Sequence, residues 1–166
     1  MHKKIEEILK ENLVSLYSYD TSNLLIVVKS APLNVLDQIQ SIYKKLAGKL
    51  TVFTQAELEN ALDVFPIEFL EMQRQRTLLA GTDLLENVKI SPSNLRHECE
   101  FYLRSNILKL REGYINKENP EGLITQSLPS FLKVLKFMKI DGLKEKPKSF
   151  EAYLEELEKI ITQINE

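Results

Sequence analysis

Short apolar runs in the first half of the chain predict β-strands. The runs at 13–18 and 23–29 are rich in Val, Ile, Leu and Tyr, which favour extended structure. The four residues between them, 19–22, read YDTS, and Asp and Ser side chains stabilise turns by bonding to nearby backbone. The two strands therefore form a hairpin. A third strand is predicted at 50–53.

Segments whose apolar residues recur at helical spacing precede and follow these strands. A helix is predicted at 3–12, and a second from Pro32, with Leu36, Ile39, Tyr43 and Leu46 on one face and Gly48 as a left-handed cap. Thr54 and Glu57 have the spacing of a capping box and predict a helix start. A further helix is predicted from Pro66 to about Leu79, with Gly81 closing it.

From Ser91 onward every long segment has a helical period. Ser91-Pro92 marks the start of a long helix, a second is predicted over 120–140 with Pro129 kinking it or marking its start, and Ser149 caps a third. The predicted inward-facing residues are Leu95, Cys99, Tyr102, Leu103, Ile107, Leu110 and Tyr114, then Leu128, Phe131, Leu132, Leu135 and Met138, and finally Phe150, Leu154, Leu157, Ile161 and Ile164.

Together these segments predict an α+β protein. A small mixed β-sheet with helices, over residues 1–82, precedes an antiparallel helical bundle over residues 91–166. The sheet is predicted to have three strands or slightly more. Because a three-stranded sheet has two exposed edges, we expect a homodimer, or pairing with another protein chain, that covers an edge or the open side of the bundle.

Composition narrows the classes of function. The 166 residues contain 24 acidic and 22 basic side chains, a net charge of -2, so binding to nucleic acid through a basic excess is not expected. The single cysteine excludes an internal disulfide and suits a cytoplasmic location. No apolar run is long enough to span a membrane, and we expect no metal or other cofactor.

Acidic residues cluster around Pro66. Asp63, Glu68 and Glu71 could act as acid and base or bind a metal ion. Acids at a helix amino terminus also stabilise the helix dipole, and Asp63 could cap the helix. The sequence favours this structural interpretation.

Three arginines recur along the first helix of the bundle. Arg96, Arg104 and Arg111 could bind an anion, or could form ion pairs with Glu100 and Glu112 on a solvated or interdomain face. His97 and Cys99 lie two residues apart and so point to different faces, which leaves Cys99 as a small core residue. The candidate ligand-binding or interdomain residues are Asp63, Glu68, Arg74, Arg96, Arg104 and Arg111.

Three segments carry a family resemblance: DVFPIEFLEMQRQR at 63–76, LRHECEFYLRSNILKLREGYI at 95–115 and SLPSFLKVLKFM at 127–138. They resemble an uncharacterised bacterial family of nucleotidyltransferase-like proteins. In that family a nucleotidyltransferase domain precedes a helical bundle, in a plan similar to that of kanamycin nucleotidyltransferase. The resemblance covers roughly the last two thirds of the chain.

The resemblance implies a transfer site that this chain lacks. In active members a Gly-Ser turn after the first strand holds the triphosphate. Paired acids on the next strand hold Mg²⁺. Here the first strand leads almost directly into the second, Thr21 and Asn23 occupy the positions of the acids, and Asp20 is one residue out of register. The third strand has Thr51 and Thr54 but no carboxylate.

The predicted function is therefore that of a catalytically inactive nucleotidyltransferase-like protein. It would bind a small ligand in a cleft between the halves, or a second protein chain. In the alternative, the chain is an active nucleotidyltransferase using Mg²⁺ and a nucleoside triphosphate, completed by a partner or by displaced acids such as Asp20 and Asp63. A third possibility is a purely structural subunit, which would need apolar patches outside its core.

Overall fold

A computed structural model describes residues 2–20, 22–43, 48–141 and 147–165 of the chain. The chain forms two compact units, Met1–Ser91 and Pro92–Glu166. The α+β fold expected from the sequence is confirmed, since the first unit contains a mixed sheet with helices and the second contains helices.

The first unit contains four strands among its described residues. They are β1 (Leu13–Tyr19), β2 (Asn23–Val28), β3 (Leu50–Thr54) and β4 (Arg76–Gly81). The helices are α1 (His2–Leu9), which a 3-10 turn (Lys10–Asn12) joins to β1, α2 (Leu33–Tyr43), α3 (Gln55–Asn60) and α4 (Pro66–Arg74).

The strands lie in the order β3-β2-β1-β4. β1 pairs antiparallel with β2 and with β4, and β2 pairs parallel with β3. Both faces of the two central strands are buried, which is why their sequences are almost continuously apolar. Ile26 and Val28 pack with residues of α1 and α2, whereas Leu25 and Val27 pack with residues of α3 and α4.

β4 corrects the sequence prediction of a helix from Pro66 to about Leu79. Helix α4 ends at Arg74, and Arg76–Gly81 pairs with β1, so that Tyr19 lies opposite Arg76 and Leu16 opposite Ala80. The apolar spacing of this segment is compatible with a helix, but β1 has a free edge whose backbone groups require partners. The sheet therefore has one strand more than the three assigned from sequence.

The predicted roles of two glycines are also wrong. Gly48 was expected in a left-handed cap, yet the described glycine with positive φ is Gly81. A side chain at Gly48 would collide with the backbone carbonyl of Ser22, so close packing is what requires glycine there. Gly81 was expected to close a helix and instead ends β4. Leu46, assigned to the second helix, lies outside the described residues.

Local helix signals in the sequence are confirmed. The hydroxyl of Thr54 accepts a hydrogen bond from the Glu57 N–H, and the Glu57 carboxylate accepts one from the Thr54 N–H, as a capping box requires. The Ser149 hydroxyl accepts from the N–H of Ala152 at the start of the last helix. These contacts join residues three apart, which is why the sequence reveals them.

The second unit consists of α5 (Pro92–Ile115), α6 (Pro120–Met138) and α7 (Phe150–Asn165). Pro129 lies inside α6, so it does not mark the start of that helix. Helix α6 runs antiparallel to α5, because Asn106 bonds to Ser130 while Gly113, later in α5, contacts Leu123, earlier in α6. Helix α7 also runs antiparallel to α5, because Tyr114 stacks on Phe150 while Arg111, earlier in α5, binds Glu158, later in α7.

Most of the predicted inward-facing residues are buried or half-buried, but two are not. Tyr114 is exposed and stacks on Phe150, and Leu132 is also exposed. Among the described residues, no helix has both the length and the apolar character needed to cross a bilayer.

Residues 83–90 belong to the first unit. Leu85 is fully buried in the same apolar cluster as Tyr17 and Phe69, and Val88 and Ile90 pack against that cluster. The sequence predicts that the first domain ends at residue 82, because nothing local to this segment indicates that its apolar residues reach the sheet.

Candidate functional site

The end of the sheet beside the β1–β2 hairpin is where the family resemblance would place the metal-binding acids. β1 passes into β2 through a tight turn, with Tyr19 paired to Asn23 and Asp20 exposed in a left-handed conformation. The turn leaves no residues for a phosphate-binding helix. Thr21 lies outside the described residues.

The polar side chains at this end of the sheet hold the strands together. The Asn23 side-chain oxygen accepts a hydrogen bond of 2.9 Å from the backbone N–H of Lys49, just before β3. The Thr51 hydroxyl lies 3.2 Å from the Tyr19 hydroxyl and bonds to it. Thr54, at the other end of β3, caps α3. These three side chains therefore have structural hydrogen bonds within the first unit.

The acidic candidates lie near the start of α4. Asp63 is exposed in the turn before the helix, and Glu68 lies in the first helical turn, as the dipole interpretation requires. The prediction that Asp63 could cap the helix is wrong, because Phe65 occupies the cap position and makes no side-chain cap hydrogen bond. Arg74 lies in the last turn of α4. Within the described ranges, no group of three or more His, Cys, Asp and Glu residues could hold a metal ion.

The arginine candidates are exposed on α5. Arg104 binds Glu100 at 2.7 Å, an ion pair that the sequence spacing allowed. Arg111 binds Glu158 of α7 at 2.7 Å, and not the neighbouring Glu112 that the sequence offered. Arg96 is also exposed. For Arg104 and Arg111 the structure thus supports surface ion pairs within the second unit.

Cys99 is a core residue, as predicted. Its side chain is fully buried, and burial raises the pKa of its thiol to about 12. The thiolate is the nucleophilic form of cysteine, so this side chain is poorly suited to covalent chemistry. His97 is exposed on the same helix.

Sequence reasoning missed a groove of about 490 Å³ between α5 and α6. The aromatic rings of Phe101 and Tyr102 and the ammonium group of Lys109 line it, together with Asn106. Asn106 is only 8% exposed and donates hydrogen bonds to the Ser130 hydroxyl and the Ser127 carbonyl. This volume and mixed lining are typical of small-ligand pockets.

A polar network around Tyr17 was also missed. The Tyr17 hydroxyl accepts a 2.6 Å hydrogen bond from the Leu84 N–H, and Asp83 beside it binds Arg76 through both carboxylate oxygens. The Arg76 guanidinium holds the pKa of Asp83 below its usual value, and burial raises the pKa of Tyr17. The contacts join residues up to 67 positions apart, so local patterns cannot reveal them.

Comparisons with known proteins find no matching family model, no matching curated protein and no matching solved structure. The resemblance to nucleotidyltransferase-like proteins therefore stays a prediction from the sequence.

Proposed function

We propose that this chain acts as a binding or interaction module and does not transfer nucleotidyl groups. The observation that carries the proposal is the hydrogen bonding of Asn23 to Lys49 and of Thr51 to Tyr19. These neutral side chains stand where the resemblance requires carboxylates. A neutral oxygen cannot balance the charge of Mg²⁺, and these oxygens already contribute to strand pairing.

Two surfaces of the second unit support the binding role. The α5–α6 groove is lined by the buried Asn106, by serines and by Lys109, beside aromatic residues. Large apolar side chains also lie outside the core, including Phe101, Leu108 and Ile115 on α5. An interaction surface requires apolar side chains outside the core.

Calorimetric titration with Mg²⁺ and nucleoside triphosphates tests the proposal. We expect no heat of binding at micromolar concentration, and the same result for wild type and for Asp20→Ala. Binding at micromolar concentration that Asp20→Ala abolishes would instead support an active nucleotidyltransferase that uses displaced acids. Asp63→Ala, at the other displaced acid, extends the same comparison, and Asp37→Ala on the exposed face of α2 is the control.

A further inference from the structure

A polar layer crosses the core of the second unit at the middle of α5. Asn106 lies between Leu103 and Leu110 on the buried face of that helix. It is 8% exposed and donates a 2.7 Å hydrogen bond to the Ser130 hydroxyl of α6. An apolar side chain at this position would need no hydrogen-bond partner, so a buried amide here calls for an explanation.

Helix α6 contributes small side chains to the same layer. Ser127 is buried, and its hydroxyl lies 2.6 Å from the Tyr153 hydroxyl of α7 and bonds to it, while Ser130 is half-buried. A serine side chain fills much less space than the leucine or phenylalanine that is common in a helix-helix contact. Two serines one helical turn apart therefore leave space between α5 and α6, where the groove of about 490 Å³ lies.

The groove has an aromatic end and a cationic end. Phe101 and Tyr102 line one end, and Lys109 lines the other, about 12 Å further along α5, since each helical residue adds about 1.5 Å. Because α6 runs antiparallel to α5, Gln126 lies at the same end as Lys109, whereas Ser130 lies nearer the aromatic end. A ligand that fills the groove thus meets rings first, then hydroxyl and amide groups, and then an ammonium group.

The charge of the lining selects an anion. Of the described residues that line the groove, Lys109 alone is charged at neutral pH, and it is exposed. The amides of Asn106 and Gln126 and the serine hydroxyls are neutral. A single ammonium group balances the charge of one carboxylate, but not that of a triphosphate.

We propose that the α5–α6 groove binds a small aromatic monocarboxylate. The ring of the ligand packs against Phe101 and Tyr102, where the Phe101 side chain is 63% exposed. The carboxylate accepts a charge-assisted hydrogen bond from the Lys109 ammonium, which fixes the direction in which the ligand lies. This inference rests on the binding role proposed above and names the class of ligand.

A buried polar layer can also serve only to fix the register of two helices. That role needs the hydrogen bond between Asn106 and Ser130, but it needs neither an exposed ring nor an ammonium group in the groove beside them. The two explanations therefore differ at Lys109. Replacing this exposed side chain leaves the polar layer intact and removes the charge that the ligand requires.

Phenylvalerate is the probe that tests the site, because four methylene groups separate its phenyl ring from its carboxylate. Added to the full chain, it should shift the amide proton and nitrogen resonances of residues in 101–110 and 123–130, which line the groove. A ligand of this size should bind with a Kd of about 1 mM. Shifts confined to other residues, or no shifts at about 10 mM, overturn the proposal.

Two comparisons test the charge. Lys109→Gln should weaken the binding of phenylvalerate about fivefold or more, because the hydrogen bond to the carboxylate loses its charge. Lys159→Gln is the matched control, since Lys159 is exposed on α7 and lies outside the groove, and this variant should bind as wild type does. Phenylvaleramide, the neutral amide of the probe, should bind wild type as weakly as phenylvalerate binds Lys109→Gln. Equal affinity of wild type and Lys109→Gln for phenylvalerate overturns the proposal.

Ser105→Trp tests the location. Ser105 is half-buried and lines the groove between its two ends, so an indole ring there occupies the space of the probe. The variant should keep its helical circular dichroism and lose the shifts. A folded Ser105→Trp that binds phenylvalerate as wild type does overturns the location. If Ser105→Trp does not fold, the Lys109→Gln comparison still decides, because Lys109 is exposed.

Failure of the phenylvalerate titrations leaves the proposed function in place, since the Mg²⁺ and nucleotide titrations test that function separately. Conversely, nucleotide binding that Asp20→Ala abolishes would overturn the proposed function without changing the shifts around Lys109, because Asp20 lies in the first unit.

Discussion

The hydroxyl group of Tyr17 connects the centre of the sheet to the segment that follows β4. It accepts from the Leu84 N–H at 2.6 Å and lies 3.2 Å from the Thr82 carbonyl oxygen, to which it can donate. The Ser15 hydroxyl donates to the same carbonyl. The phenol thus adds hydrogen bonds to two backbone groups, the Leu84 N–H and the Thr82 carbonyl, which also bond to each other at 3.0 Å.

Tyr17→Phe should therefore lower the free energy of unfolding by about 1 kcal/mol, because the hydrogen bonds of the hydroxyl to the Leu84 N–H and the Thr82 carbonyl are lost. Urea denaturation measures the change. Tyr43→Phe is the matched control, since Tyr43 is exposed and should change stability by no more than about 0.5 kcal/mol. Equal stability of the two variants would show that the Tyr17 hydroxyl contributes little.

The same residue should make stability depend on alkaline pH. Burial raises the pKa of Tyr17, and likewise that of Tyr153, above the usual 10.0. Above about pH 10 the unfolded chain releases phenolic protons that the folded chain retains, so the free energy of unfolding falls as pH rises. Denaturation between pH 8 and 11 should show a shallower fall for Tyr17→Phe than for wild type; parallel curves would contradict this.

At the scale of elements, β4 depends on a glycine that no other residue can replace without strain. Gly81 has a φ of 81°, and a Cβ there would collide with the backbone carbonyl of Val14 on β1. The strand then turns away through Thr82, whose N–H bonds to that same carbonyl. β4 can therefore pair with β1 only if this position lacks a side chain.

Gly81→Ala should destabilise the protein by about 1–3 kcal/mol, whereas Gly122→Ala should stabilise it by about 0.5–1 kcal/mol. Gly122 lies in α6, and a Cβ there would meet only Asn119 side-chain atoms, at 3.9 Å. Thermal unfolding followed by circular dichroism compares the two alanine variants. If Gly81→Ala unfolded at or above the wild-type temperature, the assignment of β4 as a strand would be wrong.

The ion pair of Arg76 and Asp83 anchors the other end of β4. The Asp83 carboxylate binds the Arg76 guanidinium at 2.8 Å and lies beside the Tyr17 hydroxyl. The hydrogen bonds from Arg76 lower the pKa of Asp83 below its usual 3.8. The stabilisation is present above that pH and is lost as the pH falls through the folded-state pKa. We expect Asp83→Asn to cost about 1–3 kcal/mol at pH 7.

Acid denaturation supplies the check on Asp83. The difference in stability between wild type and Asp83→Asn should shrink as the pH falls from 5 toward 2. Glu59→Gln, on the exposed face of α3, is the control and should leave stability unchanged at pH 7. A difference that stays constant through this range would mean that the ionised carboxylate is not what stabilises the fold.

At the scale of the whole molecule, each unit has its own buried core. If the chain forms the homodimer expected from the sequence, binding to the folded state raises the unfolding temperature as protein concentration rises. We expect this concentration dependence for the wild-type protein. Identical unfolding temperatures at all concentrations in wild type would count against a stable dimer.

The candidate site could be predicted only in part. The tight hairpin before Asn23 and the missing carboxylates follow from the order of residues, because a turn needs only neighbouring positions. That Asn23 bonds to Lys49, and that Asn106 lines a groove, follows from contacts between segments far apart in sequence. The exposure of Phe101 and Leu108 was hidden for another reason, since apolar character alone does not show which face of a helix is buried.

The sequence by itself determined the features that depend on neighbours within one helical turn. The Thr54 and Glu57 capping box, the Ser149 cap and the long helix that begins at Pro92 are all of this kind. Tertiary structure alone decided that Arg76–Gly81 is a strand, that Leu85 reaches the core and that Leu108 stays exposed. Helical hydrogen bonds close within four residues, whereas strand pairing and burial depend on which distant segment supplies the partner.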